Sequence, residues 1–273
     1  MGGKQREILW SIFQQVHSWL NEQRQITWST VFRRVTDHLN ETGKYPFDFV
    51  VVDEAQDMGI AELRFLAALG TQRPDSLFFT GDLGQRIFQQ PFSWKALGVD
   101  IRGRSHTLNI NYRTSHQIRT AADRLLPISI SDVDGNEEQR QSTISVFNGP
   151  VPVIEVHDDS DVEIDSVAEW IANRLTDGLQ PEEIGVFVRA EPQLARAIAA
   201  VTQAGATPVK LDERTAFAQG CIAVSTMHLA KGLEFRAVAV IACDDEILPL
   251  QERIENIADE SDLEEVYSKA RVY

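Results

Sequence analysis

The stretch that decides the fold is Phe47-Asp48-Phe49-Val50-Val51-Val52-Asp53-Glu54-Ala55-Gln56-Asp57. A short apolar run closed by carboxylates reads as a buried strand of a parallel sheet, because such sheets are covered on both faces and their strands lose the apolar/polar alternation. Asp53 and Glu54 then stand at the carboxyl end of the strand, the end at which open α/β sheets bind ligands. Burying a carboxylate pair there costs too much unless a cation is paired with it, and magnesium satisfies that need. Asp53 is the candidate to hold the metal through water. Glu54 is the candidate to orient and deprotonate an attacking water, the division of labour used in nucleotide hydrolysis.

Working outward, LRFLAALG predicts a helix ending at Gly70, and SLFFTGD predicts a second strand. Two apolar strands joined by a helix indicate a parallel α/β sheet. Upstream, Ile8, Ile12, Phe13, Val16, Trp19 and Leu20 recur at helical spacing, as do Val31, Phe32, Val35 and Leu39, before Gly43 and Pro46 interrupt. Downstream the pattern predicts a strand within 104–111, a helix over 115–126 closed by Pro127, and a linker rich in Ser, Asp, Asn and Gly over 129–150. A second α/β unit follows: strands at 151–156, 184–188, near Val209, at 222–225 and 237–241, with helices carrying Val167, Trp170, Ile171 and Leu175 and spanning 193–202. The expected organisation is a helical segment over 1–45, a partial α/β domain over 46–128, the linker, and a second α/β domain over 151–273. A ligand is expected in the cleft between the two.

Charge narrows the function classes. The 273 residues carry 41 acids against 26 bases, a formal net charge of -15, which argues against a polycationic nucleic-acid coat. The acids are not evenly spread. Residues 132–165 hold ten against Arg140 alone, and 244–265 hold ten against Arg253 alone. Setting those stretches aside leaves 24 bases and 21 acids, and 20 of the 26 bases are Arg, whose planar fork suits phosphate. A local, Arg-based, salt-sensitive grip on nucleic acid is compatible with that balance. The composition, 43% hydrophobic and 25% charged, is that of a globular chain. No apolar run approaches the ~18 residues of a membrane helix, and MGGKQREILW lacks the apolar core of a signal peptide, so a cytoplasmic location with no membrane partner is expected. Cys221 and Cys243 stand in apolar contexts without C-x-x-C spacing and read as buried free thiols.

Further chemistry follows at ordered intervals. Gly81-Asp82 closes the second strand and Gln85 comes next, a neutral side chain able to accept from water and donate to a phosphate oxygen. Asn111-Tyr112-Arg113-Thr114-Ser115 places Arg113 just before a helix, where it can clamp a transferring phosphoryl group. STMHLAKGLEF, residues 225–235, runs a strand into a Gly turn bearing Thr226, His228, Lys231, Gly232 and Glu234.

Taken together, these motifs resemble those of superfamily 1 DNA helicases of the UvrD/Rep/PcrA type, over roughly residues 47–273. D-E-A-Q-D is similar to their Walker B motif, G-D-L-G-Q-R-I-F to the third, N-Y-R-T-S to the fourth and T-M-H-L-A-K-G-L-E-F to the fifth. The resemblance implies two RecA-like parallel-sheet domains of the P-loop NTPase type, the first incomplete, and an ATP-dependent motor acting on single-stranded or partly duplex DNA. It implies that Asp53 coordinates Mg2+, that Glu54 is the catalytic base, and that Gln85 senses the γ-phosphate. Arg113 would reach that phosphate across the domain interface, Lys231 and Gly232 would lie beside the nucleotide, and Glu234 would contact its sugar. Thr226 and His228 would lie near the single strand. Stacking on aromatic side chains grips single strands without reading sequence. Phe88 and Trp94 are the candidates, Trp94-Lys95 resembling the family's Trp-Arg pair displaced by Gln89-Gln90-Pro91; each could equally serve the core.

Two family features are missing from the sequence. No G-x-x-x-x-G-K-[ST] loop precedes the Asp53 strand, and no counterpart of the sixth-motif arginine follows Leu263–Tyr273. An amide cradle and its lysine hold the phosphates, and loss of one transition-state arginine costs on the order of 10³–10⁵ in rate. The chain alone is therefore expected to be a poor ATPase, with a protein partner supplying or contacting the missing motifs. Two other readings remain open: a non-catalytic DNA- or protein-binding module, and a metal-dependent nuclease using Asp53, Glu54 and Asp57.

Overall fold

The structure is a computed structural model and describes residues 3–71, 73–82, 93–99, 103–124, 129–131, 137–139, 143–212 and 219–247. The chain divides into two compact units, Met1–Asn148 and Gly149–Tyr273.

The first unit opens with the two helices that the periodicity predicts. Helix α1 spans Gly3–Glu22 and α2 spans Trp28–Thr42. Thr27 caps α2 by accepting the Thr30 N–H, and Gly43 ends it in the left-handed region at φ 63° while its N–H reaches Leu39 O. Helix α2 packs on α3 (Ile60–Leu69), with the Phe32 and Phe65 rings 5.6 Å apart. The apolar stripe of α1, including Ile8, Ile12, Phe13 and Trp19, is exposed.

Strand β1 (Val50–Val52) pairs in parallel with β2 (Leu77–Phe79), Val50 opposite Leu77 and Val52 opposite Phe79. Between them α3 ends at Gly70, where a Cβ would sit 2.5 Å from the Leu77 side chain, so the close return of the chain requires glycine there. The core of the unit is Val52, Ala55, Leu63 and Trp94, with Val50, Leu66 and Phe79 against it. The expectation that the whole Phe47–Asp53 run is buried is corrected. Alternation turns Phe49 and Val51 to the opposite face, and Val51 is 74% exposed, beside the exposed Phe78 of β2.

Further along, β3 (Ile110–Asn111) is shorter than the predicted strand and pairs in parallel with β6 (Ile144–Ser145). Helix α4 (His116–Asp123) begins at Ser115, whose hydroxyl accepts the Ile118 N–H at 3.4 Å. Residues 129–150, read as a linker, contain β4 (Ser129–Ser131) and β5 (Glu137–Gln139), an antiparallel pair, as well as β6.

The second unit follows its predicted pattern closely. Helix α5 (Ser160–Thr176) is capped by Asp159, which accepts the Asp161 and Val162 N–H groups at 2.9 Å, with acids in its first turn and Arg174 in its last, as the helix dipole favours. Strands β7 (Ile184–Val188), β8 (Pro208–Lys210), β9 (Ile222–Thr226) and β10 (Ala237–Val240) form a parallel sheet in the order β10-β7-β9-β8, with α6 (Leu194–Gln203) leading from β7 to β8. Every residue of β7 and β9 is buried, and Ile171, Ala197 and Val201 pack on them.

Two expectations for this unit are corrected. Residues 151–156 form no strand, and Ile154 is 90% exposed: apolar alternation supplies strand propensity, but pairing needs an edge, and Pro152 has no N–H to donate. The thiols are less buried than expected, Cys221 half-buried and Cys243 exposed. Cys243 follows Ala242, whose left-handed φ of 58° turns the chain out of the sheet. That turn is held by Glu163, which accepts the Ala242 N–H at 2.9 Å and pairs with Arg196, itself bidentate to Asp244.

Candidate functional site

At the end of β1 the alternation puts Asp53 on the same outward face as Phe49 and Val51. Pairing with the second strand persists one step past the ladder: Thr80 N–H reaches Val52 O at 2.8 Å, and Ala55 N–H reaches Thr80 O at 2.9 Å. This sets Thr80 beside Asp53. The Thr80 hydroxyl donates to Asp53 Oδ1, which also accepts the Glu54 N–H at 2.9 Å. Those two donors, Thr80 first, hold the Asp53 carboxyl below its ordinary range, because both stabilise the anion. Asp53 is thus an exposed carboxylate, a hard oxygen donor. That donor chemistry suits Mg2+, which takes one or two carboxylates and fills its remaining positions with water and phosphate. Among the described residues no group of three or more His, Cys, Asp or Glu converges on a common metal position.

Glu54 takes the left-handed backbone, φ 53° and ψ 39°, which costs a non-glycine residue roughly 1–2 kcal/mol. The turn leads into a short 3-10 stretch, Ala55–Asp57, so Asp57 lies before α3 rather than on it. Gln56, 3% exposed, donates from Nε2 to Glu54 Oε2 and accepts the Asp82 N–H on Oε1 at 3.0 Å. Both carboxylates are therefore tied to residues 80–82.

The other candidates of the first unit divide three ways. Gln85 and Phe88 lie outside the described residues. Arg113 is exposed in a turn built by Asn111, whose Oδ1 accepts the Arg113 and Thr114 N–H groups at 2.8 and 3.0 Å. Trp94 does not present a face for stacking: it is 8% exposed, a core residue with its ring centroid 4.9 Å from that of Phe79. Its large apolar ring is taken up by the small sheet-and-helix core.

In the second unit the connection after β7 runs towards β8 and the connection after β9 runs back across β7 to β10. The carboxyl ends of β7 and β9 are therefore a topological switch point. Thr226, buried at the end of β9, contacts His228 through Oγ1 and Nε2 at 3.2 Å, and His228 itself is exposed. A 3-10 turn, Met227–Leu229, leads to Lys231 and to Gly232, left-handed at φ 81°, before exposed Glu234. Next to Glu234, Phe235 packs edge-on against Phe187, anchoring the loop to the sheet.

The sequence motifs do not single out Arg189. It follows Val188, which is in register with Thr226, and so stands at the same switch point. A cation directly after the run Ile184–Val188 repeats the logic of Asp53 after Val50–Val52, and that was the signal available.

Residues 206–267 match the UvrD-like helicase C-terminal domain family. The matched span includes β8, β9 and β10 and every candidate from Thr226 to Glu234. No curated protein matches the chain. Among the described residues no helix is long and apolar enough to cross a membrane. The matched part of the second unit, strands of a parallel sheet with helices packed on it, is similar over residues 206–267 to the UvrD-like helicase C-terminal domain, a RecA-like α/β domain.

Proposed function

We propose that this chain provides motor elements of an ATP-dependent DNA helicase or translocase of the UvrD type. The observation that carries the reading is the pair of carboxylates at the end of β1, one accepting from the Thr80 hydroxyl and the Glu54 N–H and the other set on a left-handed turn and contacted by Gln56. In this reading Asp53 holds Mg2+ through water while Glu54 orients a water against the terminal phosphate of ATP and takes its proton. The metal supplies charge neutralisation on the phosphate oxygens. Gln85 and Arg113 stabilise the transferring phosphoryl group, and Lys231, Gly232 and Glu234 bind the nucleotide. Thr226, His228 and Arg189 grip single-stranded or partly duplex DNA, with Phe88 as the stacking side chain now that Trp94 is in the core.

Residues 1–273 contain no G-x-x-x-x-G-K-[ST] match, so turnover by these residues alone is expected to be slow and to rise when a phosphate-cradling loop is supplied. ATP hydrolysis with Mg2+ and single-stranded DNA, measured for the chain and its Glu54→Gln variant beside DNA binding by fluorescence anisotropy, tests this. Slow, DNA-stimulated turnover abolished by Glu54→Gln supports the reading. Turnover that survives the substitution, or no turnover together with no DNA binding, overturns it.

A further inference from the structure

Gln56 occupies a position that a hydrocarbon of similar volume would fill. A buried amide costs free energy unless its groups are paired, and here both ends of the amide are used: Nε2 donates to Glu54 Oε2, and Oε1 accepts the Asp82 N–H at 3.0 Å. The second contact spans 26 residues of sequence. The neighbouring backbone is fitted tightly to this link, since a Cβ on Gly81 would lie 2.4 Å from Gln56 Oε1 and 3.3 Å from the Ala55 nitrogen. Donor and acceptor share one rigid plane, so turning one end of the amide displaces the other.

We propose that Gln56 is a positioning residue that couples the Glu54 carboxylate to the Gly81–Asp82 strap after β2. Loss of the carboxylate frees the amide to rotate and loosens the Asp82 N–H; movement of the strap turns the amide and re-aims Glu54. The functional meaning of this coupling rests on the reading of Glu54 as the water-activating group, but the coupling itself is a property of the three residues.

Amide hydrogen exchange of Asp82 in the full chain tests it, read as a ratio to Leu63, whose N–H is bonded to Gly59 O in the first turn of α3 and whose side chain lies in the core of the unit. Glu54→Ala leaves the Gln56–Asp82 bond both its donor and its acceptor, yet it is expected to speed Asp82 exchange about threefold to tenfold, the size of one hydrogen bond's net contribution. Gln56→Met is expected to do at least as much, and the double variant no more than Gln56→Met alone. An Asp82 ratio unmoved by Glu54→Ala, or effects of Glu54→Ala and Gln56→Met that simply add, overturns the coupling. The measurement needs neither nucleotide nor metal, so its failure is distinct from failure of the proposed hydrolytic role, which is read from turnover.

Discussion

The two parallel sheets of this chain are written in nearly the same alphabet and are buried differently. In β7 and β9 every residue is out of solvent. In β1 only alternate residues face the core, and Val51 and Phe78 lie side by side on an exposed apolar face that ends at Asp53 and Thr80. The strand is a local outcome of apolar, β-branched residues in a short run. What covers it depends on layers assembled from distant segments. Where those layers sit on both faces, apolar residues stabilise the sheet twice over; where they sit on one, half the same residues contribute little.

The largest expected effect lies inside the smaller core. Trp94→Ala should cost about 3–5 kcal/mol in the first unit, read as faster exchange of the β1 and β2 amides. A cost below about 0.5 kcal/mol would return Trp94 to the surface as a stacking candidate. Ile184→Ala in the doubly covered sheet should cost about 2–5 kcal/mol, and exchange at β7 and β9 should report it; a much smaller loss would mean that the second sheet is no better packed than the first.

Val51→Thr, on the uncovered face, should change stability by no more than about 0.5 kcal/mol. A core-sized loss there would erase the contrast between the sheets. The smallest effect is electrostatic. Thr80→Val removes the leading donor to Asp53 and should raise that carboxyl towards its ordinary range, as followed by carboxyl NMR titration. With the native pKa depressed, the stabilisation from ionised Asp53 is present above the unfolded value and fades as pH falls through the folded one, so the variant should show a smaller loss of stability on acidification than the native chain.

Legibility followed the reach of each interaction. The helices α2, α4 and α5 were readable because their caps and apolar periods are local: Thr27, Ser115 and Asp159 all accept from amides within three residues. Strands β7, β9 and β10 were readable because each contains a bounded apolar run, whereas β8, Pro-Val-Lys, was marked by Val209 alone. Residues 151–156 misled for the opposite reason, since a ladder needs an edge elsewhere in the chain. At the site, Asp53 and Glu54 could be named from V-V-V-D-E, but Thr80 and Gln56 could not, because an ordinary hydroxyl and an ordinary amide become functional only through the partners the fold brings to them.

By itself, the sequence determined that the chain is α/β, where its carboxylates and its Thr-x-His-x-x-Lys-Gly loop lie, and which helicase family they resemble, because run length, spacing and residue chemistry are properties of contiguous segments. Tertiary structure alone decided that Trp94 fills the core, that Val51 faces outward, that Thr80 donates to Asp53 and that Gln56 links Glu54 to Asp82. Those outcomes depend on which surfaces and donors meet across tens of residues, and burial and hydrogen bonding take their energies from that meeting.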